Sequence, residues 1–123
     1  MVRLIQPLTS AARTTSGNSQ PIAIEDAKEF AVFLEVTAVS GTTPTLDVKL
    51  QVYDEINEQW HDLATLALGD AVGATPANFA QVTATGRQAR YRDKPMGALL
   101  RVDYTIGGTS PSFTFSVSMV VKD

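Results

Sequence analysis

Two stretches of the chain alternate apolar and polar residues with a period of two. Leu46, Val48, Leu50 and Val52 are separated by Asp47, Lys49 and Gln51; Phe113, Phe115, Val117 and Met119 are separated by Thr114, Ser116 and Ser118. A strand turns successive side chains to opposite faces, so each set predicts a strand with one buried face and one face in water. Both stretches are approached in the same way. Leu34-Glu35-Val36 leads through Val39-Ser40-Gly41-Thr42-Thr43-Pro44 into the first, and Leu100-Arg101-Val102 leads through Ile106-Gly107-Gly108-Thr109-Ser110-Pro111 into the second. Each copy reads as strand, tight turn, strand. In equivalent positions their apolar faces would meet across a core, with Phe113 and Phe115 opposite Leu46 and Val48; the alternative is independent convergence on one turn chemistry.

The remaining segments fill out an all-β reading. Residues 30–39 form a near-continuous apolar run, the pattern of a central strand covered on both faces. Ile22 and Ile24 mark a short strand, and residues 25–29 a charged connection or a single helical turn. Residues 53–59 are a polar turn, and Trp60-His61-Asp62-Leu63 begins the return strand. Residues 66–78, rich in alanine and glycine, predict a long surface loop. Residues 79–85 predict a strand ending at Gly86, and residues 88–92 a short edge strand before Pro95. Seven or eight short strands with turn signals between them point to a single-domain antiparallel β-sandwich, jelly-roll or related Greek-key in connection. Residues 1–20, small and polar after Leu8, predict an extended N-terminal arm, leaving 21–123 as the sandwich domain. Leu4, Ile5 and Leu8 are then expected to pack on a neighbouring subunit or on a larger surface to which the protein attaches, and deletion of residues 1–10 to weaken attachment while leaving the sandwich folded.

Composition narrows the chemistry. A chain of 123 residues suits one domain that buries roughly two-thirds of its unfolded surface. A net charge of −3 does not point to nucleic acid, and the absence of cysteine removes disulfides and thiolate sites. The N-terminus, interrupted by Pro7, reads neither as a signal peptide nor as a membrane span, so synthesis in the cytosol is expected. His61 is the only histidine and has no nucleophile in a recognisable setting; beside Trp60 it reads as an exposed strand residue. Asp54, Glu55, Glu58 and Asp62 would suit calcium by type, but lack the glycine and ordered ligand series of a calcium loop, so they read as a solvated hairpin tip. Arg87, Arg90, Arg92 and Lys94 surround Tyr91, which fits a solvated surface, a protein contact, or nucleic-acid or glycan stacking. The glycine-bearing turns lack the lysine and helix of a phosphate loop. No catalytic, cofactor-binding or metal-ligating set emerges, and no enzyme is expected. The candidate protein contacts are Arg3, Leu4, Ile5, Leu8, Arg87, Arg90, Tyr91, Arg92 and Lys94.

Residues 10–19, 36–51 and 104–115 together resemble small structural proteins of tailed bacteriophages. Such relatives commonly carry Gly-x-x-Trp-x-Asp-Leu; this chain keeps Trp60, Asp62 and Leu63 without the glycine. The resemblance implies a virion component, best matched by a capsid decoration (cement) protein on the capsid exterior. Its implied partners are the major capsid protein and further copies of itself, as trimer or dimer, with no membrane and no specific nucleic acid. A tail, neck or fibre-associated protein shares the same features. A carbohydrate-binding module would instead use Trp60, Tyr53 and Tyr91.

Overall fold

A computed structural model describes residues 2–62, 80–93 and 98–123. The loop expected at 66–78, the contact residue Lys94, and Leu63 and Phe79 at the ends of expected strands lie outside them. Eight strands follow in chain order: β1 (Val2–Arg13), β2 (Gly17–Asn18), β3 (Ile22–Ala23), β4 (Glu29–Asp54), β5 (Gln59–Asp62), β6 (Ala80–Val82), β7 (Gly86–Asp93) and β8 (Leu99–Lys122). All their pairings are antiparallel.

The two similar stretches are not hairpins. Each is one long strand, and the two pair with each other almost from end to end, from Glu29 opposite Lys122 to Val52 opposite Leu100. Gly41-Thr42-Thr43-Pro44 and Gly108-Thr109-Ser110-Pro111 lie side by side, with Thr42 paired to Thr109, and both strands bend there. Gly41 and Gly108 have φ of 111° and 113°, while Thr43 and Ser110 have φ of 46° and 48°. The corner therefore repeats itself about an approximate two-fold through the Thr42–Thr109 pair. Beyond its threonine each strand spends one residue more than its partner does before pairing resumes, and such bulges bend and twist a ladder.

The corner folds one sheet into two layers. In the first, β1, the second half of β8, the first half of β4 and β7 lie side by side. In the second, β2 and β3, the first half of β8, the second half of β4, and β5 with β6 do so. One core lies between them: Phe30, Val32, Leu34, Val36, Phe113, Phe115, Val117, Met119 and Val121 from the first layer, and Leu46, Val48, Leu100 and Val102 from the second. The extra residue at the corner of β8 moves its buried positions from even to odd numbers. In β4 a further irregularity between Val36 and Ala38 restores the even phase, because a one-residue slip flips every side chain. Leu46, Val48, Phe113 and Phe115 all fall in this core, as the alternation predicts.

Two expectations change. Residues 1–20 are extended, but they lie along β8 instead of projecting: Val2 pairs with Lys122, Arg13 with Phe113, Gly17 with Tyr104 and Ile22 with Leu100. Leu8 is buried and Ile5 packs against the same core, so neither is held out for a neighbour. An edge strand needs only one apolar face, which is why so polar a segment serves. The apolar run at 30–39 is covered on one face only, and Phe33 is 41% exposed on the other.

Two stability results follow. Removal of residues 1–10 takes Leu8 from the core, and loss of a buried leucine side chain costs about 2 kcal/mol or more; urea denaturation of the truncated chain will show a lower midpoint. A Cβ on Gly41 would stand 2.7 Å from the Ser110 carbonyl oxygen, and one on Gly108 2.8 Å from that of Thr43, whereas one on Gly86 meets nothing within 4 Å. Gly41→Ala and Gly108→Ala will each lower stability by more than about 1 kcal/mol, with Gly86→Ala near neutral in the same titrations.

Candidate functional site

The outer faces of the two layers differ in character. On the first layer, Leu4, Val120 and Ala31 stand opposite one another in a row across β1, β8 and β4, and the register position of Tyr91 on β7 ends that row. Phe33 lies beside it, opposite Ser118. Leu4 is 80% exposed and Val2 56%, so three of the four large exposed apolar residues among those described share this face. The fourth, Ile56, is at the β4–β5 tip.

The second layer presents polar groups. Lys49 Nζ lies 3.1 Å from the Asp62 carboxylate, to which Gln51 Nε2 also donates at 2.9 Å; Arg101 Nε donates to Gln51 Oε1 at 2.7 Å. The bond from Gln51, with Lys49 beside it, holds the Asp62 carboxyl below its ordinary range. Arg101 stacks over the Trp60 ring at 4.4 Å, and Tyr53 meets Trp60 with ring centroids 5.1 Å apart. The β-ladder explains the grouping: Tyr53 pairs with Trp60, Gln51 with both Asp62 and Arg101, and Lys49 with Asp103, and paired residues share a face. Tyr91 belongs to β7 in the other layer, so the three aromatics considered for sugar stacking are not brought together.

Asp54 organises the hairpin tip. Its Oδ1 accepts from the backbone N–H groups of Ile56 and Asn57 at 3.0 and 3.2 Å, and its Oδ2 from Asn57 Nδ2 at 2.8 Å. His61 Nε2 lies 3.1 Å from the same oxygen. Donation from the Asn57 side chain and backbone, with that from Ile56 and His61, lowers the Asp54 pKa to about 2. Glu58 takes φ of 55°, a left-handed conformation that glycine adopts at little cost. The acidic cluster is thus divided: Asp54 turns the tip, and Asp62 belongs to the Lys49–Gln51 network. No group of three or more His, Asp or Glu set to hold a metal occurs among the described residues. His61 and Asp54 form a pair that serves the turn.

The sequence-predicted contacts separate. Arg3 is held by Asp123, at 2.9 and 3.0 Å, and reaches the Ala23 carbonyl. Ile5 and Leu8 face inward, and of the N-terminal four only Leu4 is strongly exposed. Arg87 is exposed beside Glu35 at 3.4 Å. Arg90, Tyr91 and Arg92 occupy β7 opposite Val32, Ala31 and Phe30. Sequence reasoning missed Phe33, because a continuous apolar run does not say which face stays open, and Ile56, because it stands alone among polar residues.

No protein-family model matches the chain, and no curated protein matches it. Among solved structures it is similar to the SPBc2 prophage-derived protein YomS, at 15% identity over 98% of this chain and 94% of that one, with a TM-score of 0.50. The structure of infectious bursal disease virus Gx strain matches at 10% identity and a TM-score of 0.49, over 98% of this chain and 31% of that one. A structure of Bacillus endospore appendages, described as disulfide-linked pili, matches at 13% identity and a TM-score of 0.42, over 98% and 88%. At these identities the likeness to YomS is one of fold.

The Asp54 tip has a definite pH dependence. A carboxylate whose pKa falls from 3.8 to about 2 on folding stabilises the turn above pH 3.8, and that contribution is lost as pH falls through about 2. In an NMR titration the amide signals of Ile56 and Asn57 will follow the Asp54 carboxyl with a midpoint near 2, and Asp54→Ala will abolish that step.

Proposed function

We propose that this chain is a structural bacteriophage virion protein, and specifically a capsid decoration protein that binds the outer shell and stabilises joints between major capsid subunits. The observation that carries the reading is the contrast between the two outer faces. Val2, Leu4 and Phe33 open an apolar strip on one layer, bordered by the Lys122–Glu29 and Arg87–Glu35 pairs, while the opposite layer carries a part-buried network of lysine, arginine, glutamine and carboxylate. A protein fixed to a surface by one side is served by this arrangement. The first layer then seats on the major capsid protein, and the second faces outward from the virion.

The sequence resemblance to phage structural proteins supports the reading, and the prophage-derived YomS shares the fold over 98% of this chain and 94% of its own. The described polar pairings serve turns and sheet faces. Synthesis in the host cytoplasm before assembly, and association with further copies of the chain, belong to the same proposal. A tail, neck or fibre location uses the same surface but demands few copies per particle.

Quantitative mass spectrometry of purified virions tests the location: the proposal expects copies of the same order as the major capsid protein, and a handful moves the protein to the neck or tail. Binding to capsids that lack the protein tests the face. Leu4→Asp and Phe33→Asp, both at exposed positions, will weaken attachment tenfold or more while leaving the urea midpoint nearly unchanged; undiminished attachment by both variants rejects the apolar face as the contact.

A further inference from the structure

Across β8 and β4, the outer face of the first layer is a ladder of paired rows: Lys122 beside Glu29, Val120 beside Ala31, Ser118 beside Phe33 and Ser116 beside Glu35. The first row sets a cation beside a carboxylate, and each of the middle two sets a larger side chain beside a smaller one. β1 extends the second row with Leu4, and β7 with the register position of Tyr91. Lys122 Nζ lies 3.6 Å from Glu29 Oε1, with 60% and 34% of the two side chains in water. So open a pair contributes little within one copy, and an ammonium with three donors and a carboxylate with several acceptor sites can each serve a second partner.

Two dyads lie in the plane of this face, and the charges choose between them. A dyad across the strands reverses the order of the rows, so that Glu29 of one copy meets Glu35 of the other and Lys122 meets Ser116. A dyad along the strands, midway between β8 and β4, keeps the rows and exchanges the strands. Lys122 then meets Glu29 of the other copy and Glu29 its Lys122, which closes a cluster of alternating charges. Val120 meets Ala31, Phe33 meets Ser118 and Glu35 meets Ser116, so larger side chains fall on smaller ones and no like charges are opposed. Leu4 falls at the register position of Tyr91, and Val2, with the position of Asp93, lies at the rim.

We propose that in unattached protein this face is covered by a second copy of the chain, related to the first by the dyad along the strands. The same patch serves both copies, so the contact closes at the dimer. The inference rests on the reading of this face as the attachment surface, because the two uses exclude each other and attachment exchanges the second copy for the shell. The size of the contact suits an exchange. Strands about 4.8 Å apart and rows about 7 Å apart give roughly 400 Å² per copy, half of the roughly 800 Å² that each partner buries in a stable complex. The dimer is therefore weak and reversible, and a larger contact displaces it.

Sedimentation velocity of the capsid-free protein over a concentration series tests it. The unmodified chain is expected to move from monomer to dimer as concentration rises, and to stop there. Lys122→Glu leaves a carboxylate at both positions and Glu29→Lys an ammonium at both, so each variant alone opposes like charges across the dyad and raises the dissociation constant tenfold or more. Near-ultraviolet circular dichroism verifies that each keeps its fold. The decisive sample is an equimolar mixture of the two variants: every facing pair between unlike copies is then attractive, and dimer returns at concentrations where either variant alone is monomeric. An unmodified chain that stays monomeric, a single variant that associates like it, or a mixture no more associated than its components overturns the proposal. Attachment to capsids is read separately. A chain that attaches through Leu4 and Phe33 yet is monomeric alone overturns this inference and spares the reading above, whereas a rescued dimer that fails to attach overturns that reading and upholds the dyad contact.

Discussion

The contact between Gly41 and the Thr109-Ser110-Pro111 backbone, and its mirror between Gly108 and Thr42-Thr43-Pro44, is the constraint on which the molecule depends. Two neighbouring strands can serve both layers of a sandwich only if they bend at the same level, and their backbones must come closer there than any Cβ permits. Glycine on each side allows the approach. The residues before the prolines are then held at positive φ, although Thr43 is β-branched, so the surrounding pairing over-determines an otherwise costly conformation. Everything outward from the corner inherits its geometry. The N-terminal segment follows β8 through the bend: Ser16 Oγ accepts from the Ile106 N–H at 2.9 Å, and Arg13 lies over the Phe115 ring at 4.6 Å. Gly17 is seated where a Cβ would stand 2.7 Å from the Tyr104 hydroxyl.

Hydrophobic burial, not ion pairing, holds this arrangement together. The described ion pairs, among them Arg3–Asp123, Lys49–Asp62 and Lys122–Glu29, all keep part of their side chains in water, and such pairs contribute about 0–1 kcal/mol each. Twelve of the core side chains are less than 2% exposed, and each buried aliphatic or aromatic group of this kind contributes about 1.5–3 kcal/mol against the cost of ordering the chain. The polar network on the second layer has a different effect. It fixes Trp60, Arg101 and Gln51 in one arrangement, so that face is a shaped, solvated surface in place of a set of independent side chains.

Alternation made the core legible: Leu46, Val48, Phe113 and Phe115 are buried as their spacing indicates, and the short edge strand near residues 88–92 is part of β7. Partnering was not legible. Gly-Thr-Thr-Pro and Gly-Thr-Ser-Pro carry the chemistry of a reversal, and turn chemistry is local, whereas the choice between folding back on itself and bending beside a distant copy is made by pairing across the whole chain. The same limit explains the N-terminal segment. Its composition indicates an extended chain correctly, but an edge strand and a free arm have the same composition when one buried face requires only Ile5 and Leu8. At the candidate contact face, Leu4 was readable as an apolar residue without a core of its own; Phe33 was not, because its neighbours Val32 and Leu34 hide which side of the strand is open.

Among the described strands, β1 and β7 bound the first layer, and both carry features that oppose further strand pairing. On β1, Pro7 lacks a backbone donor and the pairing with β8 is irregular between Ile5 and Leu8 and between Leu8 and Ala11, which twists the edge. Arg13 also donates to the Thr9 and Ala11 carbonyls at 2.8 and 3.2 Å, occupying acceptors that an incoming strand would need. The opposite edge of this layer, β7, carries Arg87, Arg90, Arg92 and Asp93 within eight residues, and a charged edge strand resists the approach of an identical one. A long two-layer sheet without such devices is a template for indefinite growth. With these features on β1 and β7, strand-to-strand growth of the first layer is disfavoured at both of its described edges.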